Sequence, residues 1–383
     1  MEMTILGIIV GLLVLSILVA IHEFGHAVMA YRNGVNVEEY AIGFPPTLWS
    51  KRLKSGIKFK LNSVPLGGYV KLQGEYDAAN QAGDYGKSSY WVKTKILFAG
   101  VAMNFILACI ILTVLSVTGM PKVLSNQFSL AGDKIVMTPV IIDSLEIAGP
   151  ASKVGLRAGD EVVAVNKVKI KTPEQLRQMT KSLAGQAVDF TIKRTNQVQL
   201  YTIELRDSSK PANQGYSGIY PNQTTKTYTK WYKSPVVGTA TALQFGYETL
   251  KGTGALIANF FGGLVQKVSF DPNVRKVGDQ NLAKAGDSVT GPIGILGVIF
   301  PALISTDATT FFFFVAMISI TLAVMNTLPI PALDGGRWFT ATLFRVLRRP
   351  LTEETETKIQ VTGMIVLLTL TAMVVVSDIF KFF

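Results

Sequence analysis

The chain has 383 residues, of which 49% are hydrophobic and only 16% charged, a balance that argues against an ordinary soluble enzyme and for a membrane protein. A single cysteine, Cys109, excludes an internal disulfide framework and any multi-cysteine metal site. In a soluble chain the net charge of +11 would point to nucleic acid; in a membrane chain it marks basic loops kept on the cytoplasmic face beside anionic lipid, and no nucleic-acid partner is expected.

Four uncharged runs decide the class: 5–21, 96–117, 309–333 and 361–377. Each is near the roughly 17–25 residues that a helix needs to cross about 30 Å of hydrocarbon, and a buried soluble helix seldom stays apolar on every face for so long. They predict transmembrane helices over about 4–32, 95–119, 309–334 and 360–379. The first run is not read as a secretory signal, because no basic region precedes it and it continues into His22, Glu23 and His26. Basic flanks set the orientation. Arg32, Lys51, Arg52, Lys54, Lys93 and Lys95, then Arg337, Arg345, Arg348 and Arg349, place 27–95 and 334–358 in the cytoplasm. Both termini and the stretch 121–309 are then outside.

In the first cytoplasmic segment Ile57, Phe59 and Leu61 alternate with Lys58 and Lys60, the period of a strand with one apolar face. Such an edge would hold an unwound substrate segment by strand addition, which makes Phe59 and Leu61 candidate substrate contacts. Outside, strand-like runs at 136–142, 161–165, 188–193 and 198–205 surround a helical segment, Pro173–Ser182, with Pro173 in its first turn. The apolar stretch 234–270 carries Lys251 in its middle and is loosened by Gly246, Gly252, Gly254, Gly262 and Gly263. A crossing there would put Asp334 and His22 on opposite faces, so it is read as helices lying on the outer membrane surface.

His22, Glu23, Phe24, Gly25 and His26 form an HExxH motif at the end of the first apolar run. Residues four apart share a helix face, so both imidazoles can bind one metal, with Glu23 beside it to take a proton from water. These are the only two histidines in the chain, and two placed at random fall four apart about once in two hundred cases. Ionisable groups in a membrane helix are costly, which again favours function. A catalytic zinc takes three protein ligands and leaves a position open. With no third histidine the candidates are Cys109 and a carboxylate. Cys109 lies about 20 Å into its helix from the cytoplasmic side, a depth that disagrees with His26. Asp334 ends the third apolar run behind Pro329 and Pro331, which break regular helix and can turn a carboxylate inward. Its other reading is a helix-terminal aspartate facing water.

HEFGH at the end of the first membrane helix, together with NTLPIPALDGG at 326–336, resembles the site-2 protease family, specifically the bacterial RseP-type branch. VPLGGYVKLQGE at 64–75 resembles the family's re-entrant β-loop, and Gly291-Pro292-Ile293-Gly294 a family motif before the third helix. The run Gly149-Pro150-Ala151-Ser152, then Gly155-Leu156-Arg157-Ala158-Gly159-Asp160, resembles a PDZ domain of the bacterial protease type. Only one PDZ-like segment is present where some members have two, and Gly100-Val101-Ala102-Met103-Asn104 lacks the proline often found after that glycine.

The resemblance implies a polytopic α-helical membrane protein with four transmembrane helices, an inserted extracytoplasmic α+β PDZ domain at 130–208 and a re-entrant β-loop at about 55–75. A linker and membrane-surface helices fill 209–300, between membrane halves at 1–120 and 301–383. It also implies a zinc metalloendopeptidase of the inner or plasma membrane, with one Zn2+ on His22, His26 and Asp334 and with Glu23 as the catalytic acid–base residue. Its substrates would be transmembrane proteins, commonly already shortened by another protease, with Asn326 touching the substrate backbone. A membrane-anchored zinc protease acting on cytoplasmic substrates and a non-catalytic scaffold presenting a PDZ domain are the alternatives the residues leave open.

Overall fold

The computed structural model describes residues 2–382 apart from 210, 212 and 213. The chain divides into two compact units, one formed by 1–118 with 231–383 and the other by Gly119–Lys230. In the first, α1 (Glu2–Arg32) is followed by β1 (Val37–Arg52), β2 (Lys58–Leu72) and α2 (Tyr90–Thr118). Small residues let α1 and α2 meet at backbone distance: a Cβ at Gly25 would run into the Ala99 carbonyl. The hairpin begins at Val37, well before the expected 55, because β2 pairs with two stretches of β1 at once. Tyr40 pairs with both Val70 and Phe59, and Phe59 pairs also with Lys51. The rows therefore run 68–72, 37–42, 58–61, 47–52, with 58–61 inside the sheet.

In the second unit come β3 (Met120–Pro121), β4 (Lys134–Met137), β5 (Ile141–Leu145), α3 (Pro150–Lys153), β6 (Glu161–Val165), β7 (Val168–Lys169), α4 (Pro173–Ser182), β8 (Ala187–Arg194), β9 (Gln197–Glu204), β10 (Ile219–Asn222) and β11 (Thr225–Tyr228). The main sheet has the order β10-β5-β6-β8-β9, with β7 on β6. Its core includes Ile142, Val162, Leu176, Phe190, Ile192 and Ile203, each worth about 1.5–3 kcal/mol of apolar burial. The helix α4 starts as expected: Thr172 caps it by accepting from the Gln175 amide at 3.1 Å, and Pro173 needs no partner for a missing N–H. The Gly155–Asp160 turn has a physical reason as well. Gly155 and Gly159 adopt φ of +86° and +89°, conformations that cost a glycine little. Asp160 closes the turn on the Arg157 amide and, 2% exposed, is forked by Arg194 at 2.6 Å. The expected boundary at 208 is corrected: β10 pairs with β5, so the unit runs to Lys230.

The first unit resumes with α5 (Ser234–Lys267), α6 (Pro272–Asp287), α7 (Pro292–Gly294), a π turn at Ile295–Ile299, α8 (Phe300–Ile304), α9 (Ala308–Thr327), α10 (Asp334–Val346) and α11 (Glu353–Phe382). Among the described residues four helices are long and apolar enough to cross a membrane: Thr4–Arg32, Tyr90–Thr118, Ala308–Thr327 and Glu353–Lys381. The third stops at Thr327 rather than 334, since Pro329 disfavours helical backbone at Leu328. The stretch 234–267 departs from separate surface helices. It is one helix packed lengthwise on α2 and α9, with Gly238 against Thr113, Phe245 edge-on to Phe313 at 5.6 Å, and Thr253 reaching the Met325 sulfur.

Candidate metal centre

Helix α1 places His22 and His26 on one face, and α10 begins at Asp334 directly opposite them. Asp334 Oδ2 lies 3.0 Å from His22 Nε2 and 3.3 Å from His26 Nε2, and the two Nε2 atoms are 3.1 Å apart. Both histidines are buried, at 7% and 8% exposure. The site therefore gathers the three residues the sequence nominated, and among the described residues it is the one such group of His, Cys, Asp or Glu.

The donor set fits a zinc ion. Ligands at about 2.0–2.1 Å in a tetrahedral array stand about 3.3 Å from one another, close to the spacings found. The His26 Nδ1 atom donates to the Ile96 carbonyl at 2.8 Å, which leaves the Nε2 lone pair for a metal. Gly100 of α2 completes the cradle: a Cβ there would sit 2.5–2.8 Å from His26 Nε2 and from His22 Cε1 and Nε2.

The third ligand depends on how the chain turns after α9. Pro329 and Pro331 withhold two backbone donors, Ala332 takes φ +76°, and the Leu333 amide bonds back to Ile330. Gly335 and Gly336 follow because a Cβ on either would collide with the carbonyls of Thr327 and Ile330. Glu23, half-buried, lies close enough to both imidazoles and to Asp334 to feel their charge, and it faces the Val70 backbone in the 68–72 row. Tyr40 ties that sheet to α1 by donating to the Ala20 carbonyl at 2.7 Å, and burial pushes its phenol up to about 12, so the donor proton stays.

Two candidate substrate contacts are corrected. Phe59 and Leu61 lie in the 58–61 row, whose backbone faces a neighbour on each side, so no strand can be added there. Phe59 instead stacks on Tyr40 at 5.7 Å and meets Trp49 edge-on at 6.0 Å. Two rows keep an unpaired side, 47–52 and 68–72, and the second is the one against α1, where Gly68 approaches Val19 and Glu23. Asn326 is half-buried one residue before α9 ends, and its side-chain amide makes no hydrogen bond to another described residue. Sequence reading assigned Gly100 no place at the metal and Tyr40 no role at all; the motif at 100–104 and an isolated glycine inside an apolar helix were the signals for the first.

Comparison with known proteins supplies the family. Residues 10–370 match the model of peptidase family M50. A Clostridium perfringens protein named "Putative zinc metalloprotease" is 29% identical over 374 residues, covering 97% of this chain and 98% of its own. A Helicobacter pylori protein of the same name is 30% identical over 340 residues, 86% of each chain. "Zinc metalloprotease Rip1" of Mycolicibacterium smegmatis is 25% identical over 371 residues, 89% of this chain and 86% of its own. With the match spanning nearly all of its length and both halves of the His22, His26 and Asp334 cluster inside it, the chain belongs to peptidase family M50, the site-2 proteases.

Proposed function

We propose that the chain is a zinc endopeptidase that cuts other membrane proteins in or beside their transmembrane segments. The observation that carries the reading is the placing of two of the three donors, His22 and His26, inside a helix apolar enough to span a bilayer. Zinc bound there supplies Lewis-acid polarisation of the scissile carbonyl and lowers the pKa of water toward about 7. Glu23 accepts the proton of the attacking water and returns it to the leaving amide nitrogen as the C–N bond breaks. The 68–72 row receives the unwound substrate as an added strand next to Glu23, and the Asn326 amide offers the substrate backbone both a donor and an acceptor. Residues 119–230 act as a PDZ domain outside the membrane that favours substrates already shortened by another protease; the turn at Gly155–Asp160 and the edge strand β10 support that reading.

Reconstitution in liposomes tests this. Purified protein is expected to cut a shortened transmembrane substrate faster than one with its ectodomain, and to spare a soluble peptide of the same sequence. Val70→Pro, which removes a donor from the free row, is expected to slow cutting of strongly helical substrates more than of substrates with helix-breaking residues. Cleavage of the soluble peptide alone would instead make the enzyme a membrane-anchored protease of the cytoplasm. Orientation has its own test in a Cys109→Ala background. An impermeant thiol reagent on intact cells is expected to label Ser208→Cys and not Gly56→Cys, and the reverse pattern inverts the topology.

A further inference from the structure

Among the described residues of α11 only Glu356, Gly363 and Asp378 are buried, so the helix touches the rest of its unit at few points. Asp378, at one end, accepts from the amides of Gly291 and Gly294 at 3.0 and 2.8 Å. The remaining contacts, on the face shared by 356, 360 and 363, converge on the segment that carries Asp334. Gln360 Oε1 accepts from the Ala332 amide at 2.7 Å, two residues before Asp334. Gly363 lies flush on Pro331, where a Cβ would strike its backbone. Glu356 Oε1 meets Arg337 Nε at 3.3 Å, three residues after Asp334, and its other oxygen accepts from the Asp77 amide at 2.9 Å. Arg337 also donates to the Glu75 carbonyl and lies over the Tyr85 ring at 5.0 Å.

We propose that α11 is a brace that sets Asp334 at the metal, with Gln360 as its positioning residue and the Glu356–Arg337 pair as its second hold. The inference rests on the zinc reading of His22, His26 and Asp334. Its physical core is Ala332. A non-glycine residue at φ +76° holds a backbone conformation that L side chains rarely adopt, and it persists only where its surroundings over-determine it. The bond from Gln360 holds the backbone in that conformation, and the conformation aims the next turn, and with it the Asp334 carboxylate, at the imidazoles. Without the hold, Ala332 relaxes, and zinc binding must then reorder the turn. Partners that orient a metal ligand commonly account for 10–100-fold in metal affinity.

The test is zinc affinity, measured by competition with a chromophoric chelator on the full chain in detergent. Gln360→Met keeps the side-chain length and removes the acceptor; it is expected to weaken zinc binding about tenfold with the melting of the zinc-free protein unchanged. Ala332→Gly in the Gln360→Met background is expected to restore most of the affinity, because glycine adopts the left-handed conformation without strain. A purely structural role for Gln360 would give no such rescue, and absence of rescue overturns the proposal. Asp334→Ala is the reference: if it loses zinc while Gln360→Met binds zinc as the parent does, the brace is wrong and the zinc site stands. If Asp334→Ala keeps full affinity, the zinc reading falls and takes the brace with it. Should Gln360→Met fail to accumulate, Glu356→Gln keeps the shape and weakens the hold on Arg337; it is expected to weaken zinc binding severalfold, and unchanged affinity overturns the proposal.

Discussion

Glu23→Gln protein is expected to bind zinc as the parent does and to cut its substrate about 10²–10⁴ times more slowly, the usual span for losing a general acid–base group. The split follows from the geometry. His22, His26 and Asp334 converge to within 3.0–3.3 Å of one another, whereas Glu23 lies beside that cluster, facing the Val70 backbone. Glutamine keeps the shape and the hydrogen-bonding reach but cannot take a proton from water. Single-turnover cleavage with metal analysis of the same preparation checks it. Full-speed cleavage would remove Glu23 from the chemistry, and loss of zinc would make it a ligand.

Gly100→Ala should be nearly as damaging although it adds one methyl group. The new Cβ would fall 2.5–2.8 Å from the atoms His26 Nε2, His22 Cε1 and His22 Nε2, well inside the contact distance of a methyl carbon with any heavy atom. The neighbours have little room to move, because His26 is anchored to Ile96 of the same helix α2 and both rings are buried. Zinc occupancy and cleavage are both expected to collapse. Gly252→Ala is the control within the molecule, since a Cβ there meets nothing within 4 Å and alanine favours the helix by about 1 kcal/mol. Equal zinc content in the two variants would contradict the proposed packing of the cradle.

How far these features were legible in the sequence depended on how local their causes are. HExxH needs only the pitch of one helix to bring His22 and His26 together, so that pair was legible locally, whereas the prolines before Asp334 announced a turn without fixing where its carboxylate points, and only the family resemblance joined it to the pair. Pro173 and Thr172 likewise set the start of α4 by local chemistry. Alternation at Ile57, Phe59 and Leu61 announced a strand, but Leu61 is exposed and Asn62 buried, and the period says nothing about which strands lie on either side. That is why an inner row was taken for an edge. In α5, Lys251 and the glycines suggested a loose helix on a surface. Gly238 instead makes room for the Thr113 backbone, a long-range fit that no local pattern encodes. The strands β10 and β11 were missed because Pro221 interrupts a short run whose partners lie some eighty residues earlier.

Whether two imidazoles and a carboxylate hold a zinc ion is decided by X-ray absorption at the zinc edge of the purified full chain. One equivalent of zinc is expected, with only nitrogen and oxygen neighbours at about 2.0–2.1 Å, imidazole scattering from two histidines, and loss of the metal in His26→Ala protein. Absence of zinc, or a sulfur shell at about 2.3 Å that implicates Cys109, would contradict it.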